Sequence, residues 1–314
     1  MAGRCSVTTL PERVEQYLAL RRSLGFKLGR SGQLLTQFAV YCQELGSDLV
    51  TTELALAWAR QPAAARPLWW SYRLSAVRSF ARYLHAVEPR HEVPPPDLLP
   101  RGPRWAEPFI YSVTDIANLL KAAGSLPHPL ISATYRTYIG LLAVTGMRAG
   151  EVIRLDRDDV NWSDGLVVVR DTKFGKSREI VLHPTTVAAV RDYDRRRRSL
   201  LPRPRTPAFF VSTVGTRLIY NNVQAVFHRL TKDIGLSPRS EHCRPRLHDL
   251  RHTFAVNTLL DWYRAGADVA ERMHALTTYL GHTQPAYTYW YLSATPELFA
   301  LVGQRLERQL GNLS

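Results

Sequence analysis

The chain has 314 residues, of which 45% are hydrophobic, and a formal net charge of +14 at pH 7. This length suits two domains, and this hydrophobic fraction excludes wholesale disorder. Lys and Arg number 41 against 27 Asp and Glu, which favours a polyanionic partner such as DNA, RNA or an anionic membrane surface.

The cysteines are Cys5, Cys42 and Cys243, and their spacing indicates neither a disulfide framework nor a metal site. They suit a reduced cytosolic setting, so we expect a cytoplasmic protein. No signal peptide is visible at the N-terminus, and no run of about 18 apolar residues predicts a membrane span.

The first ninety residues predict four helices. Thr9 and Glu12 have the spacing of a capping box before the first apolar pattern, and Gly25 suits its end. Periodic apolar residues predict a second helix that ends at Gly46, a third after Thr51 and a fourth that begins near Trp69. This part of the chain is predicted to be an all-helical domain, residues 1–90.

A proline-rich segment over residues 91–107 interrupts the helical pattern. Such a sequence is stiff, extended and poor in helix, which predicts an interdomain linker. The alternative is a long loop within one domain, but long structureless loops inside compact domains are uncommon.

Residues 108–314 are predicted to form a mainly helical domain with a small β-hairpin. Ser112 can cap one helix, and a second ends near Gly146. Two β-rich runs, 166–169 and 179–182, flank a turn with a glycine at its tip, which predicts the hairpin. The basic cluster at 191–205 has two equal interpretations, a solvated surface or a contact with the DNA backbone.

Four patches in this second domain carry chemistry. Arg148, beside a predicted helix end, can present a guanidinium to a phosphate, and Glu151 is placed to hold it. Lys173 lies at the predicted hairpin tip, with Lys176 and Arg178 close by. Each patch by itself is weak evidence, because basic residues are common at turns.

The other two patches lie further along the chain. On a helix, His248, Arg251 and His252 share one face, where they would be costly to bury without an anion. His282 precedes Tyr291 by nine residues in an aromatic segment that, alone, more often indicates core packing.

Together these residues resemble the tyrosine site-specific recombinases, the phage-type integrases. That family has an Arg in T-G-x-R-x-x-E, a Lys on a hairpin, H-x-x-R on a helix, a His in L-G-H and a Tyr near the C-terminus. This chain is similar at all six positions, in that order: Arg148, Lys173, His248, Arg251, His282 and Tyr291. The segment 288–298 resembles the members associated with transposons and other mobile elements. The chain departs from the family in its greater length between Arg251 and His282.

The resemblance implies a helical core-binding domain followed by an α+β catalytic domain, and a role for each matching residue. Arg148 and Arg251 would clamp the non-bridging phosphate oxygens, and His282 would donate a hydrogen bond to the same group. Tyr291 would attack phosphorus to give a 3′-phosphotyrosine link, with Tyr289 as its competitor. His248 would accept a proton and Lys173 would protonate the departing 5′ oxygen. Neither a metal, a cofactor nor ATP is implied.

The resemblance also implies partners. We expect double-stranded DNA, a homotetramer on two duplexes, and possible cooperation with other recombinases of the same element, with no membrane partner. The C-terminal segment from Thr295 onward is amphipathic and is expected to contact a neighbouring protomer. Packing on its own domain is the alternative.

Three other functions remain open from the sequence. A DNA-binding protein without catalysis would share the charge and the architecture. A zinc hydrolase could use His248 and His252, although Asp249 stands where the zinc-protease motif has Glu, and the Arg251 cation would repel a metal. A type IB topoisomerase would use similar chemistry without a specific site.

Overall fold

The computed structural model describes residues 8–100, 107–170, 177–282, 284–293 and 296–311. The chain divides into two compact units, Met1–Trp105 and Ala106–Ser314. Each unit has a hydrophobic core of its own. The domain boundaries predicted from sequence stay a prediction.

The first unit consists of four α-helices, as predicted. They are α1 (Leu10–Ser23), α2 (Gly29–Glu44), α3 (Thr52–Arg60) and α4 (Pro67–Val87). The predicted capping box of α1 is present, with the Thr9 amide donating to Glu12 at 2.8 Å. Phe38, Trp58 and Phe80 are almost fully buried at the centre of the helices, so burial of large aromatic surfaces stabilises the unit.

The described part of the proline-rich segment packs on these helices. His91 is fully buried, and its Nδ1 accepts a hydrogen bond from the Val50 amide at 3.0 Å. Arg78 of α4 donates to the carbonyl oxygens of Pro94 and Pro95, both at 2.7 Å. Residues up to 100 are therefore an ordered extension of the first unit.

The second unit is mainly helical. Its helices are α5 (Val113–Gly124), α6 (Pro129–Thr145), α7 (Ala149–Arg154), α8 (Pro184–Leu200), α9 (Tyr220–Asp233), α10 (Asp249–Arg264), α11 (Val269–Leu280), α12 (Ala286–Tyr289) and α13 (Pro296–Gly311). A 3₁₀ turn over Trp290–Ser293 follows α12 directly. The predicted cap of α5 is present, with Ser112 accepting from the Asp115 amide at 3.0 Å.

A three-stranded antiparallel sheet lies within this unit, in the order β1 (Val160–Asn161), β2 (Leu166–Val169) and β3 (Arg178–Val181). The predicted hairpin is confirmed as β2 and β3, with Val167 paired to Ile180 and both fully buried. The sequence did not predict β1, because a strand of two residues is too short to show an alternating pattern of apolar and polar residues. The hairpin tip, residues 171–176, lies outside the described residues, and with it Lys173.

On α8 the basic cluster has five arginines and two aspartates, and four of the arginines contact the aspartates. Arg195 and Arg196 pair with Asp192 at 3.1 and 2.7 Å. Buried Arg197 pairs with Asp194 at 2.9 Å, and Arg198 contacts the same carboxylate. The pairing orients these side chains along the helix, and the remaining positive charge is compatible with both interpretations of the cluster, a solvated surface and a contact with the DNA backbone.

The C-terminal helix α13 begins against its own unit. Leu298 is fully buried in a cluster that contains Tyr291 and the apolar side of α10. The contact with a neighbouring protomer that was expected of this helix stays a prediction. Among the described helices, none is both long and apolar enough to cross a membrane.

Candidate active site

Arg148 is positioned by a tight turn between α6 and α7. Gly146 ends α6 with a φ of 61°, and a Cβ there would stand 2.5 Å from the ring of Phe254, so the turn requires glycine. Arg148 is the N-cap residue of α7, and its amide donates to Glu151 at 2.9 Å. Its side chain is 36% exposed, so the guanidinium stays accessible to a ligand.

Glu151 is a buried carboxylate shared by two arginines. It accepts from the guanidinium of Arg148 at 2.9 Å and from both terminal nitrogens of Arg178 at 2.7 and 3.2 Å. Burial alone would raise the pKa of Glu151, but the hydrogen bonds and charges of Arg178 and Arg148 lower it to about 2. Glu151 therefore stays ionised and holds Arg148, as the sequence predicted.

Arg178, at the first position of β3, also reaches the end of α11. Its Nε donates to the carbonyl oxygen of Tyr279 at 2.9 Å. A Cβ at Gly281, which has a φ of 67°, would stand 2.9 Å from the same guanidinium. Arg178 thus ties the hairpin to Glu151 and to the turn that carries His282.

Arg251 is a buried cation held by backbone carbonyls. It is 2% exposed and donates to Gly146 at 2.8 Å and to Leu280 at 2.7 Å. Among the described residues no carboxylate forms an ion pair with it. Burial and the charge of Arg148 lower the pKa of Arg251 to about 10, so it remains protonated at neutral pH.

Three histidines surround this guanidinium, two of them on α10. His248 is the N-cap of α10 and is exposed to solvent. The ring centroids of His248 and His252 are 4.8 Å apart. Desolvation by the neighbouring side chains lowers the pKa of His248 to about 4 and that of His252 to about 3, with the arginine charges adding to the effect. Both rings are therefore neutral at neutral pH and can accept protons.

His282 follows the left-handed turn at Gly281. Its Nδ1 lies 2.7 Å from the hydroxyl of Thr288, and its ring stacks on that of Tyr291 with centroids 6.0 Å apart. Burial, with the charges of Arg251 and Arg148, lowers the pKa of His282 to about 3. This histidine is likewise neutral at neutral pH.

Tyr291 lies at the centre of these groups. It is 2% exposed, and its ring centroid is 5.5 Å from that of His252. Burial raises the pKa of Tyr291, while the charge of Arg251 and hydrogen bonding with it act in the opposite direction. Tyr289 is 49% exposed, and no hydrogen bond or ring contact of it with the site is seen among the described residues. Of the two tyrosines, Tyr291 is therefore the one that contacts the other candidate residues.

The structure brings five of the six predicted residues together, and the sixth, Lys173, lies outside the described residues. The extra length between Arg251 and His282 leaves this arrangement intact. It forms the rest of α10, a turn at Gly266 and α11, and the end of α11 returns the carbonyls of Leu280 and Gly281 to the two arginines at 2.7 and 3.0 Å.

Sequence reasoning did not assign three contributors. Arg178 was noted only as a basic neighbour of Lys173. His252 was placed on the same helix face as His248 and Arg251 and weighed as a metal ligand, but it was given no role in the site. Thr288, whose hydroxyl lies 2.7 Å from Nδ1 of His282, carried no signal, because this contact is set by the tertiary fold and not by a sequence pattern. No three His, Cys, Asp or Glu side chains of the described chain converge as a metal site.

The sequence of this chain is similar to those of known integrases. Residues 112–297 match the phage integrase family. A putative integrase/recombinase of Sinorhizobium fredii, y4rB, is 42% identical over 309 residues, which cover 96% of this chain and 98% of the relative. The chain therefore belongs to the phage integrase family of tyrosine recombinases, which confirms the resemblance found in the sequence.

Solved structures agree on the fold. The Tn1549 transposon integrase in complex with a circular intermediate DNA superimposes with a TM-score of 0.65 at 17% identity, over 96% of this chain and 99% of that one. A lambda integrase tetramer bound to a Holliday junction gives 0.59 at 18% identity, over 91% and 78%. The predicted fold class, mainly helical with a small sheet, is confirmed.

Proposed function

We propose that this protein is a site-specific recombinase that cuts and rejoins DNA strands through a covalent link between Tyr291 and a DNA phosphate. The observation that carries the proposal is Arg251. A guanidinium that is 2% exposed and has no ion-pair partner among the described carboxylates is costly to bury, unless an anion completes its environment. Tyr291 interacts with this same guanidinium.

The chemistry is an exchange of phosphate esters. The Tyr291 oxygen forms a bond to phosphorus, and the bond from phosphorus to the 5′ oxygen of the next nucleotide breaks, which leaves a 3′-phosphotyrosine. A 5′ hydroxyl then attacks the same phosphorus and releases Tyr291. One ester replaces another at each step, so the energy of the broken bond is kept and ATP is not required.

The cations stabilise the charge that develops on the phosphoryl oxygens. In this proposal Arg148 and Arg251 bind the two non-bridging oxygens. Both guanidiniums are held by backbone carbonyls, at 3.0 Å from Gly281 and 2.8 Å from Gly146, so their orientation is set before substrate binds. Because Arg251 and Tyr291 are 2% exposed, the side chains that cover them move aside when the phosphate enters. The Nε2 of His282 donates to the same phosphoryl group.

Two groups handle protons. His248 accepts the proton that leaves the Tyr291 hydroxyl. The negative charge of the bound DNA phosphate raises the pKa of His248, because it offsets the charges of Arg251 and Arg148 that help to lower it in the free protein. Lys173 gives a proton to the departing 5′ oxygen. The support for Lys173 is its place between β2 and β3, since Arg178 at the base of that hairpin contacts the site directly.

The assembly in this proposal is a homotetramer on two duplexes in the cytoplasm, with other recombinases of the same mobile element as possible partners. The similarity to the lambda integrase tetramer bound to a Holliday junction supports the tetramer, and that to the Tn1549 transposon integrase supports a mobile-element role. The net charge of +14 supports tight, salt-sensitive binding to phosphates.

The test is covalent trapping on nicked duplexes that tile the DNA flanking the protein's own gene. A nick beside the cleavage position lets the leaving strand diffuse away, so the wild-type protein should accumulate an adduct stable to denaturing electrophoresis. Tyr291→Phe should form none, whereas Tyr289→Phe should form it normally. Absence of any wild-type adduct, or an adduct with Tyr291→Phe, would contradict the proposal. Relaxation of supercoiled plasmid without site preference would favour a type IB topoisomerase.

A further inference from the structure

Residues 107–111, here called the entry segment, lead the chain into the second unit and belong to no helix or strand. Phe109 and Tyr111 are buried in the main core of the unit. Ile110, between them, packs against the cluster that contains Tyr291. Because the segment is largely buried outside regular secondary structure, its backbone groups need hydrogen-bond partners elsewhere in the unit.

Two of these partners are side chains near the start of α10. The Tyr111 amide donates to the hydroxyl oxygen of Thr253 at 3.0 Å. The Phe109 amide donates to the carboxylate of Asp249. Thr253 in turn donates to the carbonyl oxygen of Asp249 at 2.8 Å, so the two acceptors are joined to each other. The entry segment is therefore bonded to the start of α10 at two amides.

Asp249 also closes the turn from which α10 begins. Its carboxylate accepts from the Arg246 amide at 3.1 Å, while its own amide donates to the Arg246 carbonyl oxygen at 3.0 Å. The side chain of His248, the N-cap residue, makes no capping hydrogen bond in the described chain. The reciprocal bonds of Asp249 and Arg246 therefore take the place of a cap and set where the helix begins.

The carboxylate of Asp249 is fully buried, and burying a charge is costly unless hydrogen bonds satisfy its oxygens. The donors are the Phe109 amide, the Arg246 amide, and two nitrogens of the Arg246 guanidinium at 2.9 and 2.7 Å. The same guanidinium donates to the carbonyl oxygen of Glu107 at 3.2 Å. A shift of the start of α10 away from the entry segment would leave this buried charge with fewer donors.

The residues on either side of Asp249 belong to the candidate site. His248 precedes it, and Arg251 follows two positions later, with its amide donating to the His248 carbonyl oxygen at 3.1 Å. The guanidinium of Arg251 reaches the carbonyl oxygens of Gly146 and Leu280 at 2.8 and 2.7 Å. A displacement of the α10 backbone by about 1 Å would carry both bonds beyond hydrogen-bonding range.

We propose that Asp249 and Thr253 are positioning residues that fix the start of α10 against the entry segment and thereby place His248 and Arg251 for reaction with the phosphate. Both act through the backbone of α10 and not by contact with the substrate. The inference rests on the proposed function, because it concerns the placement of two side chains that act there. It makes the backbone of the entry segment part of the scaffold of the site.

The first test measures amide hydrogen exchange in the free, full-length protein by mass spectrometry of its peptides. Thr253→Val removes the acceptor of the Tyr111 amide at nearly unchanged volume. We expect faster exchange both in the entry segment and in residues 246–251, because the bonds that join them are lost. Thr253→Ser, which keeps the hydroxyl, should exchange as the wild type does. Exchange that is unchanged in Thr253→Val, or faster in the entry segment alone, overturns the proposal.

The matched control for this test is Thr258→Val, further along α10. Thr258 also donates to its own helix, to the carbonyl oxygen of Phe254 at 2.8 Å, but no contact of it with the entry segment is seen among the described residues. Thr258→Val should leave exchange at the wild-type level in both segments. Faster exchange there in this variant, equal to that in Thr253→Val, overturns the proposal.

The second test measures the rate of adduct formation on the trapping substrate at saturating protein, together with DNA affinity. Asp249→Asn should slow adduct formation about 10–100-fold, because a displacement near 1 Å of the reacting groups is enough for such a loss. Thr253→Val should also slow it, and Thr253→Ser should keep the wild-type rate. DNA affinity should be unchanged in all three, because contacts with phosphates along the duplex dominate it.

Asp159→Asn separates positioning from a general loss of stability. Asp159 is 6% exposed, accepts from the amide three positions before it, that of Asp156, at 2.9 Å, and pairs with Arg170, so its contacts resemble those of Asp249. Urea unfolding compares the stability of the two asparagine variants. The rate of Asp159→Asn at saturating protein should be that of the wild type.

Equal slowing by Asp159→Asn and Asp249→Asn, or a wild-type rate in Asp249→Asn, overturns the proposal. The exchange experiment needs no DNA, so it keeps the two hypotheses apart. If the wild type forms no adduct while exchange in Thr253→Val and Thr258→Val is as expected, the proposed function fails and the bonded start of α10 stands.

Discussion

Arg178 donates two hydrogen bonds to the carboxylate of Glu151, at 2.7 and 3.2 Å, from the first residue of strand β3. The same carboxylate accepts from Arg148 at 2.9 Å. One buried acid therefore fixes both the base of the hairpin and the exposed cation of the site. A substitution at Arg178 should therefore displace Arg148, although the two arginines do not contact each other directly.

Arg178→Lys should slow adduct formation about 100-fold, because a lysine cannot form the two-pronged contact with Glu151 and a displacement near 1 Å is enough for such a loss. The measurement is the rate of covalent trapping at saturating protein. Arg170→Lys is the matched control, since Arg170 follows strand β2 and pairs with Asp159 beside the same sheet but is 61% exposed. Equal effects of the two substitutions would contradict a positioning role for Arg178.

Glu151→Gln should alter the acid stability of the protein. The pKa of Glu151 is lowered from 4.5 to about 2, so its ionisation stabilises the fold above pH 4.5, and this contribution is lost as pH falls toward 2. The wild type should lose about 3 kcal/mol more unfolding free energy than Glu151→Gln over that range. Urea denaturation at a series of pH values measures it. Glu44→Gln, at an exposed position of α2, should leave the wild-type pH dependence intact, and parallel curves for Glu151→Gln would refute the prediction.

His252→Phe should make the protein less sensitive to acid. His252 has a buried Nδ1 without a hydrogen-bond partner in the described chain, and its pKa falls from 6.5 to about 3. The unfolded chain binds a proton below pH 6.5 that the folded protein rejects, so stability declines as pH falls from 6.5 toward 3. At pH 5 the free energy of unfolding of His252→Phe should be raised by about 2 kcal/mol relative to the effect of the same substitution at pH 8.

Denaturant unfolding at the two pH values measures this difference for His252→Phe. His274→Asn is the control, because His274 is exposed on α11. If His252→Phe raised the free energy of unfolding equally at pH 5 and pH 8, the effect would come from packing and not from protonation of His252.

Leu298→Ala should destabilise the second unit by about 2–5 kcal/mol, the usual loss for a fully buried leucine. Its neighbour on α13, Phe299, is 57% exposed, and Phe299→Ala should change stability by less than about 0.5 kcal/mol. Chemical denaturation of the full chain compares them. Similar values for both would mean that α13 does not pack on its own unit in solution.

The elements that local signals encode were predictable from the sequence. The capping residues Thr9 and Ser112 and the glycine at 146 lie within a few positions of the groups they satisfy, so the helix ends follow from neighbouring residues. The hairpin followed from two apolar runs around a glycine. The strand β1 did not, because its two residues become a strand only by pairing with β2.

The site was predictable as a set of residue types but not as a set of contacts. Arg178 meets Tyr279 at a separation of 101 residues, and Arg251 meets Gly146 at 105. Such partners are fixed by the tertiary fold, and nothing local marks them. Spacing favoured Tyr291 over Tyr289, and the physical reason is that Tyr291 contacts Arg251 and His282 whereas Tyr289 is 49% exposed.

The acceptors that orient Arg148 and Arg251 are main-chain oxygens, those of Gly146, Leu280 and Gly281. The link between these distant turns is therefore a backbone path, and its record in the sequence is the pair of glycines at 146 and 281, both with positive φ. Chimeras that exchange residues 269–293 between relatives should therefore keep glycine at 281 and a backbone path that returns the carbonyls of residues 280 and 281 to the two arginines.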